Sequence, residues 1–310
     1  MKRSIKILLL IAAICLGAGI AIHQFYLNRS AEVVITEAEP AEEISESNDI
    51  PETDVDIVAD IPEEMPGKGG FRLDFTGTKG GIGIGKMNIN FSEDGKGYEI
   101  KANGRAAGLL KQFVSDRLQL YSVGEQKSGK MTVRYFSNTT IKDDKKATRK
   151  EKIHSFAGAW TYEKLGKPKE VDNKIFDQAI DPLTLLFHIG RALDETGKCN
   201  LSHNGFIDET GFSVTVTDKG KTSESGIKSG KKKISEIRCD AVFANRAGKA
   251  MKDYPFEHEF AKKKAKKRPS VISIYYSKFG GDNFIPVYIK VRETPIGDVN
   301  IKLTKFVKGK

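Results

Sequence analysis

The chain has 310 residues, and its formal charge of +10, from 51 Lys and Arg against 41 Asp and Glu, is unevenly distributed. From Gly67 onward there are 47 bases and 28 acids, whereas residues 31–66 carry thirteen acids and no base. The roughly 240 residues of the basic part are enough for one sizeable core, and no stretch inside them reads as a linker that would force two domains.

The chain begins Met1-Lys2-Arg3-Ser4-Ile5-Lys6, and Ile7 to Ile22 contains no charged side chain. A basic cap before an unbroken apolar run is an export signal. At 1.5 Å per residue a helix from Ile5 to Ile22 is about 27 Å long, just enough to span the hydrocarbon core. Phe25 and Tyr26 follow at the far interface. A cleaved signal peptide should end in small residues, but the sequence after Ile22 is His23-Gln24-Phe25-Tyr26-Leu27, which favours an uncleaved anchor over residues 1–27. Cys15 raises lipidation as a third option, against which the bulky Ile14 counts. The leading positive charges place the N-terminus inside, so the expected address is the inner membrane, single-pass, with the rest of the chain in the periplasm; secretion after cleavage is the alternative.

Residues 28–69 read as an acidic, disordered linker. With Pro40, Pro51, Pro62 and Pro66 and no sustained period, this stretch lacks the apolar surface to offset its ordering entropy.

Beyond it, period-two alternation predicts strands in a mainly β domain over 70–310. Met87, Ile89 and Phe91 share a face, and Ser92-Glu93-Asp94-Gly95 turns the chain into a strand around Tyr98. Further strands are expected at 71–76, 117–124, 131–137, 212–217, 234–243, 270–276, 285–292 and 299–307. The last three form a meander with Ile285, Val287, Ile289 and Val291 on one face. A short helix is expected around Ala106 to Val114. A longer one starts at Asp181-Pro182, an acidic cap before proline at the first helical position, and ends near Gly197. It is mostly apolar, with a polar stripe of Thr184, His188, Arg191 and Glu195. Many strands and one buried helix suggest a curved antiparallel sheet, or an open or half barrel, wrapping that helix.

The order Gly83-Ile84-Gly85, the Tyr98 strand, Gly104 to Gly108, the helix start Asp181-Pro182-Leu183-Thr184, and the late strand Phe284-Ile285-Pro286-Val287 resembles the bacterial envelope family known as domain of unknown function 3108. The resemblance covers roughly 71–306. It implies an exported β-rich fold, similar to lipoprotein carriers whose curved half-barrels hold an acyl chain, and it brings no catalytic residues. The acidic linker and the lysine-rich insertion at 228–233 depart from the family pattern.

Few residues carry a chemical signature. Gly80 to Met87 resembles a phosphate-binding loop but lacks the final Ser or Thr and runs into a strand, so its glycines are expected to make a bend or bulge. His154, His188, His203 and His258 have no metal-ligand spacing, so no metal and no cofactor are expected. No serine elbow or catalytic cysteine signature is present, so no catalytic residue is assigned. Cys199 and Cys239, the two cysteines outside the anchor, are expected to form a disulfide in an oxidising compartment. Thr184, His188 and Arg191 are the expected ligand-facing residues. The basic runs at 142–152 and 228–233, and the patch Lys262, Lys263, Lys264, Lys266, Lys267 and Arg268, suggest contact with anionic lipid or an envelope polymer, because export removes genomic nucleic acid from reach. The expected function is non-enzymatic binding of a lipidic or anionic envelope ligand. The alternatives are a scaffold docking another envelope protein and an unrecognised hydrolase.

Overall fold

The computed structural model describes residues 70–309 apart from 108–116, 128–129, 142–146, 157–158, 171, 177, 208–209, 230–231, 249–270, 279–282 and 295–296. The expected anchor and linker, His258, residues 108–114 of the expected short helix and the patch at 262–268 lie outside the described residues. No helix among those described is long and apolar enough to cross a membrane.

The first eight strands are β1 (Phe71–Lys79), β2 (Ile82–Glu93), β3 (Gly97–Ala106), β4 (Arg117–Lys127), β5 (Lys130–Ile141), β6 (Ala147–Phe156), β7 (Ala159–Lys164) and β8 (Lys167–Lys169). A 3-10 turn at Asn173–Ile175 leads to β9 (Ala179–Ile180) and the one long helix, α1 (Pro182–Thr196). Then come β10 (Leu201–Ile207), β11 (Thr210–Thr222), β12 (Lys228–Ser229), β13 (Lys232–Lys233), β14 (Glu236–Gly248), β15 (Val271–Ser277), β16 (Ile285–Thr294) and β17 (Gly297–Lys308). Ala106, expected to open a helix, instead ends β3 as the partner of Gly85, because the ladder with β2 satisfies its backbone.

Fifteen strands form one sheet in the order β8-β7-β6-β5-β4-β3-β2-β1-β17-β16-β15-β14-β11-β10-β9; β12 and β13 form a separate small hairpin. Every ladder in the large sheet is antiparallel except that of β9 with β10. Alternation puts one face inside: Leu73, Ile89, Ala102 and Leu120 are buried and opposed across β1 to β4. On the other half Ile301, Ile289, Ile274 and Cys239 do the same across β17 to β14.

The sheet curls until its two ends meet. β9, at one end, lies against β5, the fourth strand from the other. The seam is closed by rings: Trp160 of β7 stacks on Phe176 at 5.4 Å, and Phe206 of β10 meets Trp160, Phe176 and Phe136 at 5.2 to 5.9 Å. The described chain is therefore mainly β and barrel-like, closed at the seam by side chains in place of a continuous ladder. Its two terminal strands are blunt. β8 has three residues, Lys167-Pro168-Lys169, whose proline offers no N–H to an added strand, and β9 has two.

Asp181 caps α1, accepting from the N–H groups of Leu183 and Thr184, and Gly197 closes it in the left-handed conformation at φ 70°. The wall contacts the helix on all sides. Phe187 packs on Phe71 of β1 and Phe91 of β2, the Tyr276 hydroxyl of β15 donates to the Leu186 carbonyl at 2.7 Å, and Gly190 admits the Phe284 backbone. A disulfide joins Cys199, just past the helix, to Cys239 of β14 with Cα atoms 6.1 Å apart, tying the helix exit to the sheet across the intervening β11.

The glycine-rich run is a hairpin. Gly80 and Gly81, at φ 53° and 84°, turn β1 into β2, and Ile84 bulges where the register shifts between Gly77 and Thr78.

Candidate functional site

Two clusters of polar side chains face inward at the end of the barrel that holds α1. The first cluster lies under the helix N-terminus. Asp181 Oδ2 accepts from the hydroxyls of Ser122 and Thr184, both at 2.6 Å, while Oδ1 accepts from the Leu183 and Thr184 N–H groups at 2.8 and 3.1 Å. The Tyr98 hydroxyl lies 2.9 Å from Thr184 Oγ1 and 3.2 Å from the Thr132 carbonyl. Gly124 makes this reach possible, since a methyl there would overlap both the Tyr98 hydroxyl and the Thr132 carbonyl oxygen. Burial raises the pKa of Asp181 against the opposing pull of its four donors, and burial likewise raises that of Tyr98.

This cluster is a fastening, not a reaction centre. Asp181, Ser122 and Thr184 are fully buried, and the Ser122 and Thr184 protons are both committed to the carboxylate. No lone pair of Asp181 is left to deprotonate a substrate, and no hydroxyl is presented to solvent.

The second cluster lies one turn along. His188 of α1 and His203 of β10 meet edge to face, ring centroids 5.2 Å apart. His203 Nδ1 is bound to the Asn204 carbonyl at 2.9 Å, but His188 Nδ1 is buried with no hydrogen-bond partner. Burial lowers the His188 pKa to about 4, and His203 and then Lys130 push it the same way. Lys130 is exposed at the start of β5, ahead of Tyr135, where the described ladder with β6 begins. His188 of the helix and His203 of β10 thus meet ring to ring, within the electrostatic field of Lys130 on β5.

Of the three expected ligand-facing residues, two are engaged by neighbouring side chains. Thr184 is consumed by Asp181 and Tyr98, because the first turn of α1 sits directly over Ser122 and Tyr98. Arg191 is partly buried and paired with Glu93 of β2. His188 lies ring to ring with His203. Sequence reasoning missed His203 and Lys130, which carry no local signal and reach His188 only through the curl of the sheet. It also missed Ser122 and Tyr98, whose inward alternation marks burial but not partnership. No group of three or more His, Cys, Asp and Glu among the described residues is placed to hold a metal ion.

The barrel interior is occupied. Phe75, Phe136, Phe176, Phe206, Phe212 and Tyr276 are all buried in one core that continues onto α1.

No family model matches the chain, and no curated protein matches it. Among solved structures it is similar to a β-barrel-like protein of domain of unknown function 1849 from Brucella abortus, at 15% identity over 80% of this chain and 100% of that one, with a TM-score of 0.48. That family differs from the one suggested by the order of sequence features, and the resemblance to family 3108 rests on that order alone.

Proposed function

We propose that this is an exported, membrane-held binding protein of the bacterial envelope, without catalytic activity, whose domain takes an anionic ligand at the His188–His203 pair beside α1. The observation that carries the reading is the meeting of His188 and His203 within the field of Lys130, with the His188 Nδ1 buried and unpartnered. A carboxylate or phosphate oxygen accepting from His188 would supply the missing partner and reverse the repulsion among the three. The disulfide fits an oxidising compartment, and the apolar run at 7–22 supplies the tether. With the axis filled by aromatic side chains, the ligand's charged group, more than an enclosed acyl chain, is what this domain is built to hold.

Isothermal titration of the full chain in detergent with dodecyl phosphate and with inorganic phosphate tests this. Binding should tighten as pH falls from 7.5 to 5, with proton uptake, and weaken at least tenfold in His188→Gln with Lys130→Gln. Equal affinity for wild type and the double variant, or no dependence on pH, would overturn the site.

A further inference from the structure

A second feature lies at the opposite end of the barrel and is independent of the ligand at α1. Strands β1, β3, β5 and β7 alternate with antiparallel partners and so point the same way. The β1–β2 turn at Gly80-Gly81 and the β7–β8 turn at Leu165-Gly166 therefore lie at one end, away from the helix. The exposed large apolar side chains among the described residues are two, Ile82 at 56% and Leu165 at 54%, and each occupies one of these turns. Each is flanked by lysine, Ile82 by Lys79 and Lys86, Leu165 by Lys164 and Lys167.

On the outer wall, from β17 past the Ile82 turn to β4 on the side of Leu165, runs a row of cations. Lys302 opposes Thr76, Thr76 opposes Lys86, Lys86 opposes Arg105, and Arg105 opposes Arg117. At about 4.8 Å per strand the row is about 19 Å long. None of its register positions is an acid, and no carboxylate among the described residues pairs with Lys86, Arg105 or Lys302. Like charges directly opposed across strands destabilise a sheet, so a row of this kind costs stability unless something anionic meets it. Exposed apolar side chains at separate turns, with cations beside them, match a surface that is apolar just below and negatively charged at its boundary.

We propose that this end of the barrel docks on a bilayer surface bearing anionic phosphate headgroups. Ile82 and Leu165 enter the boundary between headgroups and acyl chains, and Lys79, Lys86, Arg105, Lys167 and Lys302 hold the phosphates. The chain enters β1 at the other end, so the docking face points away from the point where residues 1–70 join the domain.

The test is tryptophan quenching by brominated lipid, using the full chain reconstituted in vesicles. Ile82→Trp and Leu165→Trp should lose emission in vesicles of brominated phosphatidylglycerol and phosphatidylcholine, but not in brominated phosphatidylcholine alone. Lys198→Trp, exposed beside the helix end, should lose none in either. Each cation neutralised near an anionic surface weakens attachment about fivefold, so Lys86→Gln with Arg105→Gln should shift the salt concentration that releases the quenching to a markedly lower value. Unquenched Ile82→Trp and Leu165→Trp in the anionic vesicles would overturn the proposal. So would equal quenching at Lys198→Trp, or quenching indifferent to lipid charge. Binding of soluble polyphosphate to the row without any quenching would assign it to a polyanion in solution and exclude the bilayer.

Discussion

Neutralising the interior histidine offers the sharpest test of the structure around α1. The His188 imidazole titrates near 6.5 in an unfolded chain and at about 4 in the folded one, because burial, His203 and Lys130 all oppose its charge. Folding thus lowers the affinity for a proton. Above pH 6.5 both states are neutral and the stability is fully present. As pH falls toward 4 the unfolded chain takes up a proton that the folded chain refuses, and stability is lost; below about 4 both bind it and the loss stops growing. At 1.36 kcal/mol per pH unit the full loss is about 3 kcal/mol, which solvent at the partly exposed ring reduces to about 2. The assay is urea unfolding of wild type and His188→Gln at pH 7.5, 6, 5 and 4, followed by circular dichroism. Carboxylates contribute a slope to both proteins, so the prediction concerns their difference: His188→Gln should gain about 2 kcal/mol relative to wild type between pH 7.5 and 4. Lys130→Met should close part of that gap by removing one of the repelling charges. Parallel pH profiles for wild type and His188→Gln would refute the placement of the ring.

Three further substitutions test other parts of the architecture. Asp181→Ala removes the cap of α1 and the acceptor of two buried hydroxyls; Ser122 and Thr184, 3.0 Å apart, can bond to each other, leaving one proton orphaned. The expected cost is about 3 kcal/mol, and an unchanged urea midpoint would show that removing the buried charge compensates. Gly124→Ala forces a methyl into the Thr132 carbonyl and the Tyr98 hydroxyl, so the melting temperature should fall by about 5 to 10 °C, on the order of 2 to 3 kcal/mol. A well-tolerated alanine would mean that Tyr98 does not cross β4 there. Replacing both Cys199 and Cys239 by Ser releases a loop of 40 residues and should cost about 3 to 4 kcal/mol in chemical denaturation. The same loss should appear in wild type on adding reductant, and a wild type indifferent to reductant would count against the bond.

Where sequence and structure agree, the signal is local. The β15 to β17 meander is legible because Ile285, Val287, Ile289 and Val291 alternate without interruption and turn residues bound them. The start of α1 is legible because an acidic cap and a proline at the first position act within one turn. β6, β7 and β8 are not legible: lysine and glutamate interrupt any period, and these segments are strands because β5 offers them an edge. β9, with two residues, has no pattern to read and exists through its parallel pairing with β10. The polar stripe of α1 is a more instructive case. Spacing shows that Thr184, His188 and Arg191 share a face, but not that Ser122, His203 and Glu93 wait opposite each of them.

The sequence by itself determined the class of this protein: a basic β domain behind an acidic stretch and an apolar N-terminal run, with one capped helix and a pair of cysteines. Those properties follow from composition, alternation and capping, which act over a few residues or as sums over many. The closure of the sheet at the ring-packed seam, the meeting of His188 and His203 within the field of Lys130, and the gathering of Ile82, Leu165 and a cation row at one end were decided only by the tertiary structure. Each depends on strand register and sheet curvature, which bring together residues separated by up to about two hundred positions in the chain.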